Sequence, residues 1–290
     1  MRKVRFGMKK ACGECPVRSE CRYGNLYAYL FEAPWDHPYI AANAERSLNS
    51  RHEKQFPPPF VPDPPPGGSY SPGSRIRLCF TLVGKAIGYF PFMACAMSMM
   101  NLAKFGQGTL CLEGITDGFP ADDGTETLIY DETGQIVGPG QVFDFPLVTE
   151  WVRRGEGADR ICVRFLTPFR FKDNGRMGTE LTFRIFMRNI FRRIAFLSVH
   201  SPLSCDIAFK ELLDRADRAV VTEASDLRWY DWQRYSSRQN AKMKFGGLVG
   251  EVVFSGETDE FMPYIRLCEF LNVGKGVSFG LGKYEAVFLL

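Results

Sequence analysis

The sequence lacks the motifs by which proteins most often hold a nucleotide. No GxxxxGK[ST] is present: Gly274-Lys275 runs into Gly276, and Gly282-Lys283 into Tyr284, so a P-loop is excluded. The glycine spacing near the C-terminus is GxGxxxGxG, whereas a dinucleotide-binding turn needs GxGxxG opening a helix, and here an apolar, strand-like tail follows. A bilayer-spanning run is also missing. Residues 86–100 are apolar but short, and Gly88, Pro91 and Ser98 interrupt them, so a buried helix fits better than a membrane span. No secretory signal precedes the nine cysteines, an odd number, which points to a reducing cytoplasm. Histidine is scarce. His37, His52 and His200 are the three in the chain, so few side chains can carry a proton near neutral pH. For each of them a surface role is the commoner fate.

Against these absences stands one glycine-rich stretch. Gly274, Gly276, Gly280 and Gly282 alternate with Lys275 and Lys283 just before an apolar tail. Glycine permits φ > 0 and close backbone approach, exposed N–H groups in such a turn form an anion-binding concavity, and lysine adds charge. A polyanion lying across the turn is the functional reading. The alternative is a glycine-rich turn needed only for close strand packing.

At 45% apolar and 24% charged, the chain reads as soluble and globular, and 290 residues suffice for two domains. Its net charge of +3 is unevenly spread: residues 151–245 hold 19 Lys+Arg against 11 Asp+Glu, and the remainder 17 against 22. A local basic region points to a defined polyanion surface. Within it, residues 228–244 interleave Trp229, Tyr230, Trp232 and Tyr235 with Arg228, Arg234, Arg238, Lys242 and Lys244. Rings stack unpaired bases and arginines hold phosphates, whereas an amphipathic core hairpin would explain the tryptophans without so many cations. Thr167-Pro168-Phe169-Arg170-Phe171-Lys172 places Arg170 and Lys172 on one face of a strand end.

The coarse organisation reads as follows. Prolines crowd residues 36–74, including Pro57-Pro58-Pro59 and Pro64-Pro65-Pro66, so this connector is expected to be extended or disordered and not helical. Strands are expected over 75–83 and 109–115, a helix over 85–105, and a hairpin around Asp131–Gly134. In the second block a strand over 161–166 closes at Thr167-Pro168. Phe183, Phe186, Met187, Ile190, Ile194 and Leu197 give a helix over 179–198 by their spacing, with Arg184, Arg188 and Arg192 on another face. A strand over 248–254, a short helix over 260–270 and a last strand over 284–290 complete it. This order, given twice, is the ferredoxin-like pattern: an α+β chain of two tandem domains, 1–155 and 156–290. Cys12, Cys15 and Cys21 resemble half of a zinc site, with His37 as the nearest histidine. Small buried residues are the alternative.

Thr167-Pro168-x-Arg170-x-Lys172, Asp226 to Gln239, Gly246-Gly247-Leu-Val-Gly250-Glu251 and the closing Val273 to Tyr284 occur in that order. Together they resemble the CRISPR-associated endoribonucleases of the RAMP superfamily that cut precursor CRISPR RNA in its repeats. Arg75–Leu82, Gly84-Lys85-Ala86-Ile87 and the cysteine cluster are similar to one branch of that family. The resemblance implies two ferredoxin-like domains holding repeat RNA, with metal-independent transesterification that leaves a 2′,3′-cyclic phosphate and a 5′-hydroxyl. It implies no cofactor for cleavage, a structural zinc at most, and CRISPR effector complex subunits as further partners. On this reading Arg170, Lys172, Arg228, Arg234, Arg238, Lys275 and Lys283 contact phosphates, Gly274, Gly276, Gly280 and Gly282 shape the turn, and His37 is the general base. The rival is a non-catalytic RNA-binding subunit of an effector complex. Two departures stand out. Asn272 occupies a place where a histidine is expected, and residues 1–7 enter partway through a helix that relatives precede with a strand, so an edge strand is expected to be missing or the start truncated. The family's His-Pro-aromatic element corresponds to His37-Pro38-Tyr39 or to Pro58-Pro59-Phe60.

Overall fold

A computed structural model describes residues 26, 28–33, 37–44, 56–65, 68–102, 104–105, 108–118, 125–138, 140–142, 150, 159–173, 175–201, 208–231, 233–236 and 241–289. Cys12, Cys15, Cys21, His52, Trp232 and Arg238 lie outside these residues.

The Pro-rich connector is more regular than its composition suggests. Helix α1, Pro38–Ala44, starts on a proline, which is tolerated at the first helical position because that N–H would be unsatisfied anyway. The expectation of a non-helical connector is therefore corrected. Strand β1, Phe60–Asp63, contains Pro62 and pairs antiparallel with β2, Cys79–Leu82. A two-stranded ribbon has an outer edge where a residue without an N–H is allowed. The strand expected over 75–83 is thus limited to its last part.

The helix expected over 85–105 is broken. A 3₁₀ segment, Gly84–Tyr89, leads into α2, Phe90–Ser98, with Pro91 inside its first turn. A second 3₁₀ turn, Met99–Leu102, precedes β3, Lys104–Phe105, which pairs with β4, Gly108–Thr109. In place of a strand over 109–115 come β4 and then β5, Ile115–Thr116, paired with β6, Leu128–Tyr130. The hairpin expected at Asp131 is formed: Asp131 Oδ1 accepts from Thr133 N and Gln135 N, both at 2.9 Å, and Tyr130 bridges Ile136 beyond the turn.

The second half is built on one four-stranded antiparallel sheet. Its strands are β7, Arg160–Phe169, β10, Val220–Tyr230, β13, Gly247–Gly256, and β14, Tyr284–Leu289, in spatial order β10-β13-β7-β14. Between β7 and β10 lie the small hairpin β8, Lys172–Asp173, and β9, Arg176–Met177, then α3, Phe183–Leu197, and α4, Phe209–Ala219. A second hairpin, β11, Gln233–Ser236, with β12, Ala241–Lys244, separates β10 from β13. Helix α5, Met262–Leu271, connects β13 to β14. This is the βαββαβ order of a ferredoxin-like domain.

Local chemistry accounts for these elements. Thr182 caps α3 by accepting from Ile185 N, and the apolar residues of α3 bury Phe183, Phe186, Met187, Ile190 and Phe191 against the sheet. The arginines on its other faces have partners: Arg184 donates to Leu213 O at 2.9 Å, Arg188 bonds Asp173 at 3.0 Å, and Arg192 lies over the Phe196 ring. Arg193 is buried and donates to Leu271 O at 3.0 Å. Strand β7 does not stop at Thr167-Pro168 as expected. Its pairing with β13 slips between Phe165 and Phe169, and a bulge of this kind accommodates a proline that cannot join the ladder. Phe165 and Phe169 both point inward, with rings stacked at 4.6 Å.

The two halves meet through β1. Val61 belongs to the core of the second half, and a separate aromatic core of Tyr29, Leu30, Ile40, Phe56 and Met93 takes in Val199 from beyond α3.

Candidate functional site

The glycine-rich turn joins α5 to β14, and its backbone is largely engaged in closing on itself and on β7. Val273 N donates to Gly282 O at 2.9 Å, Lys275 N to Arg170 O at 2.7 Å, and Gly282 N to Pro168 O at 3.1 Å. Phe279, Gly280 and Leu281 donate to Gly276 or Val277 carbonyls. Thr167 completes the closure: its Oγ1 accepts from Lys283 N and donates to Gly280 O, both at 2.9 Å. These bonds engage the amides of Val273, of Lys275 and of Phe279 through Lys283. Gly274, Gly276, Gly280 and Gly282 all have positive φ, and a Cβ on Gly282 would sit 1.7 Å from Val273 O. Close packing explains them. What the turn offers outward is side chains, Lys275, Ser278 and Phe279, all exposed.

The basic residues singled out from sequence are distributed unevenly. Trp229 and Phe169 both pair with buried Leu248 on the helix-covered face. By alternation Arg228, Tyr230 and Arg170 stand on the opposite face. Lys275 is held beside Arg170 by a hydrogen bond from its backbone N–H to Arg170 O. Lys172 is exposed but belongs to β8, which Arg188 of α3 ties down through Lys172 O at 3.1 Å. Lys283 forms an ion pair with Asp63 of β1, so a carboxylate already compensates its charge. Arg234 lies on β11, where the backbone alone is described.

Six other arginines of this half pair with carboxylates: Arg160 with Glu223, Arg164 with Glu251, Arg184 with Asp214, Arg188 with Asp173, Arg215 with Glu260 and Arg266 with Glu269. Arg170 differs. Its guanidinium lies 5.2 Å from the Phe245 ring centre, its Nε is buried with no hydrogen-bond partner among the described residues, and burial lowers its pKa.

A second polar cluster sits at the other end of β1. The Tyr29 ring lies 5.3 Å from His37, 5.6 Å from Tyr39, 5.9 Å from Tyr89 and 5.5 Å from His200. His37 precedes α1, and its carbonyl accepts from Ala41 N at 2.9 Å. Its Nδ1 lies 3.3 Å from Tyr39 N, which favours the tautomer with the proton on Nε2. Lys85, exposed, holds its ammonium 4.2 Å above the Tyr39 ring. His200 is fully buried, contrary to the surface role expected from Ser201-Pro202 beside it. Its Nε2 meets Pro57 O at 2.8 Å and its carbonyl accepts from Tyr39 Oη at 3.2 Å. Burial above all, then the nearby Arg193 and His37, pushes its pKa down to about 4. Burial raises the Tyr29 phenol, with Tyr39 and Tyr89 adding to the effect, and Tyr29 Oη and His200 Nδ1 have no hydrogen-bond partner among the described residues.

Sequence reasoning missed Lys85, Tyr29, Phe245, Phe279 and the clamping role of Thr167. The first two are aligned with His37 by tertiary packing alone. Among the described residues no group of three or more His, Cys, Asp or Glu side chains could hold a metal ion, and no helix is long and apolar enough to cross a membrane.

Comparison with known proteins agrees with this architecture. Residues 163–284 match the family model of the CRISPR-associated endoribonuclease Cas6, and residues 1–141 match a second model described as an N-terminal domain. No curated protein sequence matches the chain. Among solved structures, a Cas6 product complex is similar with a TM-score of 0.54 at 18% identity, covering 90% of this chain and 94% of that one. Thermus thermophilus Cas6 is similar with a TM-score of 0.50 at 16% identity, covering 92% and 93%. A chain of a partial Cas6-RT-Cas1–Cas2 complex is similar with a TM-score of 0.50 at 15% identity, covering 90% of this chain and 44% of that one. The α+β, tandem ferredoxin-like class is thus the fold of this chain. A Cas6 model thus matches residues 163–284, which form most of the sheet, and the fold of solved Cas6 structures is shared over nearly the whole length of the chain.

Proposed function

We propose that this protein binds CRISPR repeat RNA and cuts it to give guide RNA. Cleavage is a metal-independent transesterification: the 2′-oxygen, as it loses its proton, attacks the adjacent phosphorus, the 5′-oxygen leaves and takes a proton from water, and a 2′,3′-cyclic phosphate and a 5′-hydroxyl result. The domains are 1–155 and 156–290. The observation that supports the enzyme reading most strongly is the convergence of His37 and Lys85, from separate elements, on one nest of tyrosine rings.

In this reading His37 takes the 2′-hydroxyl proton through Nε2. That requires the proton on Nδ1, so the 3.3 Å contact with Tyr39 N is given up at a cost of about 1 kcal/mol. Tyr29, at ring-contact distance, holds the imidazole in orientation. Lys85 supplies positive charge to the phosphoryl oxygens as they become more negative. Arg170, Lys172, Arg228, Arg234, Arg238, Lys275 and Lys283 hold phosphates along the strand. Lys283 must exchange Asp63 for RNA to do so. Gly274, Gly276, Gly280 and Gly282 serve by fixing the turn that presents Lys275. A structural zinc at Cys12, Cys15 and Cys21 and handover of cut RNA to effector subunits remain parts of the same proposal.

A second reading, a non-catalytic RNA-binding subunit, is favoured by that same Tyr39–His37 contact, which presents the imidazole as a donor. One experiment separates them. Purified protein is incubated in EDTA with repeat RNA from its own locus, and the product ends are examined. Cyclic phosphate and 5′-hydroxyl ends support the enzyme; tight, salt-sensitive binding without cutting supports the subunit; no binding removes both.

A further inference from the structure

Among the described residues Arg170 is a charge without a counter-charge. Among the described residues its guanidinium meets no carboxylate or carbonyl; its partner is the Phe245 ring. A partly desolvated cation in that state costs free energy unless a ligand compensates it. Phe245 is buried, and its ring packs edge-on at 5.0 Å against Phe279. Phe279 itself ends the short 3₁₀ turn Val277–Phe279 and is 41% exposed. That turn is locked by the Thr167 hydroxyl and the positive-φ glycines on either side. A large ring is therefore held rigidly at the surface, beside an uncompensated guanidinium and next to Lys275, whose amide bonds Arg170 O. Tyr230, 51% exposed, stands on the same sheet face. A rigid exposed ring next to a cation is what an unpaired nucleotide requires: a π-face for the base and a donor for its phosphate.

We propose that Phe279 and Arg170 form a single-nucleotide site, in which an unpaired base of the RNA stacks on Phe279 and the phosphate of that nucleotide is held by Arg170. The proposal rests on the RNA-binding reading above and adds to it a position where the RNA must be single-stranded. Phe245 is a positioning residue, setting both the Phe279 ring and the guanidinium.

The test uses the full chain and a short single-stranded RNA carrying one 2-aminopurine, whose fluorescence is quenched on stacking. The unchanged protein should bind with quenching. Phe279→Leu keeps an apolar side chain against Phe245 and should lose the quenching, with affinity lower by about 5- to 150-fold and an unaltered salt dependence. Phe279→Trp should restore both. Arg170→Gln should reduce the slope of log K against log salt by about 0.7 while quenching persists at saturation. Binding and quenching by Phe279→Leu equal to those of the unchanged protein would overturn the site while leaving RNA binding intact. Absence of salt-sensitive binding by the unchanged protein would overturn the RNA reading itself.

Discussion

Strand β1 connects two polar regions of opposite character. At its Asp63 end lies the glycine-rich turn, where most of the amides, the Thr167 hydroxyl and the Lys283 ammonium are matched to partners. Beyond its other end, Pro57 leads to the nest of Tyr29, His37, Tyr39 and His200, where Tyr29 Oη and His200 Nδ1 are buried without hydrogen-bond partners among the described residues. A satisfied region resists change and holds geometry. A region with unused donors and acceptors has chemistry in reserve. The glycines therefore serve the shape of the molecule, while the aromatic nest keeps polar atoms to spare.

The strongest challenge to this contrast is Gly282→Ala. Its φ of +73° and the 1.7 Å approach to Val273 O leave no room, so denaturant unfolding should show a loss of roughly 4 kcal/mol or failure to fold. Gly175→Ala is the control, with φ of +80° but nothing within 4 Å; it should lose only about 1 kcal/mol. Equal losses would show that backbone strain, and not close packing, governs the turn.

His200 gives the next largest effect. Its folded pKa of about 4 lies below the ordinary 6.5, so the unfolded chain binds the extra proton between these values. Stability should be constant above pH 6.5 and fall by on the order of 3 kcal/mol as pH drops to 4. Urea titrations across that range should show the fall for the unchanged protein and a smaller one for His200→Gln. An identical fall in both would place the acid sensitivity elsewhere.

Smaller still is Thr167→Val, which removes both hydrogen bonds that tie the turn to β7 and should cost about 2 kcal/mol. The smallest effect is expected at Lys283 and Asp63, each about 30% exposed in its side chain. A double-mutant cycle with Lys283→Met and Asp63→Asn should give a coupling below about 1 kcal/mol. A larger value would make this pair a main link between the halves.

How much of this was legible beforehand follows from the range of the interactions. Helix α3 was readable because its apolar period and the Thr182 cap are local signals, and the Asp131 hairpin because its turn is closed by its own side chain. That strand β7 runs on past Pro168 has no local sign, since a bulge in its pairing with β13 leaves no trace in the sequence. A count of prolines does not show helix α1, because Pro38 stands at the first helical position, where proline is tolerated. His200 looked superficial because its burial depends on Pro57 and Tyr39, both distant in sequence. Phe279 lies within a glycine-rich motif, and its exposure at the end of the 3₁₀ turn depends on how that turn closes on β7.

On the proposed function, bond cleavage occurs in the aromatic nest and RNA is held by the Arg170 face. Single-turnover cleavage of repeat RNA by His37→Ala at saturating protein tests it most directly. The rate constant should fall by about 10²- to 10⁴-fold with the dissociation constant for RNA unchanged. Cleavage at the unchanged rate, or a loss of activity accounted for wholly by weaker binding, would contradict the account.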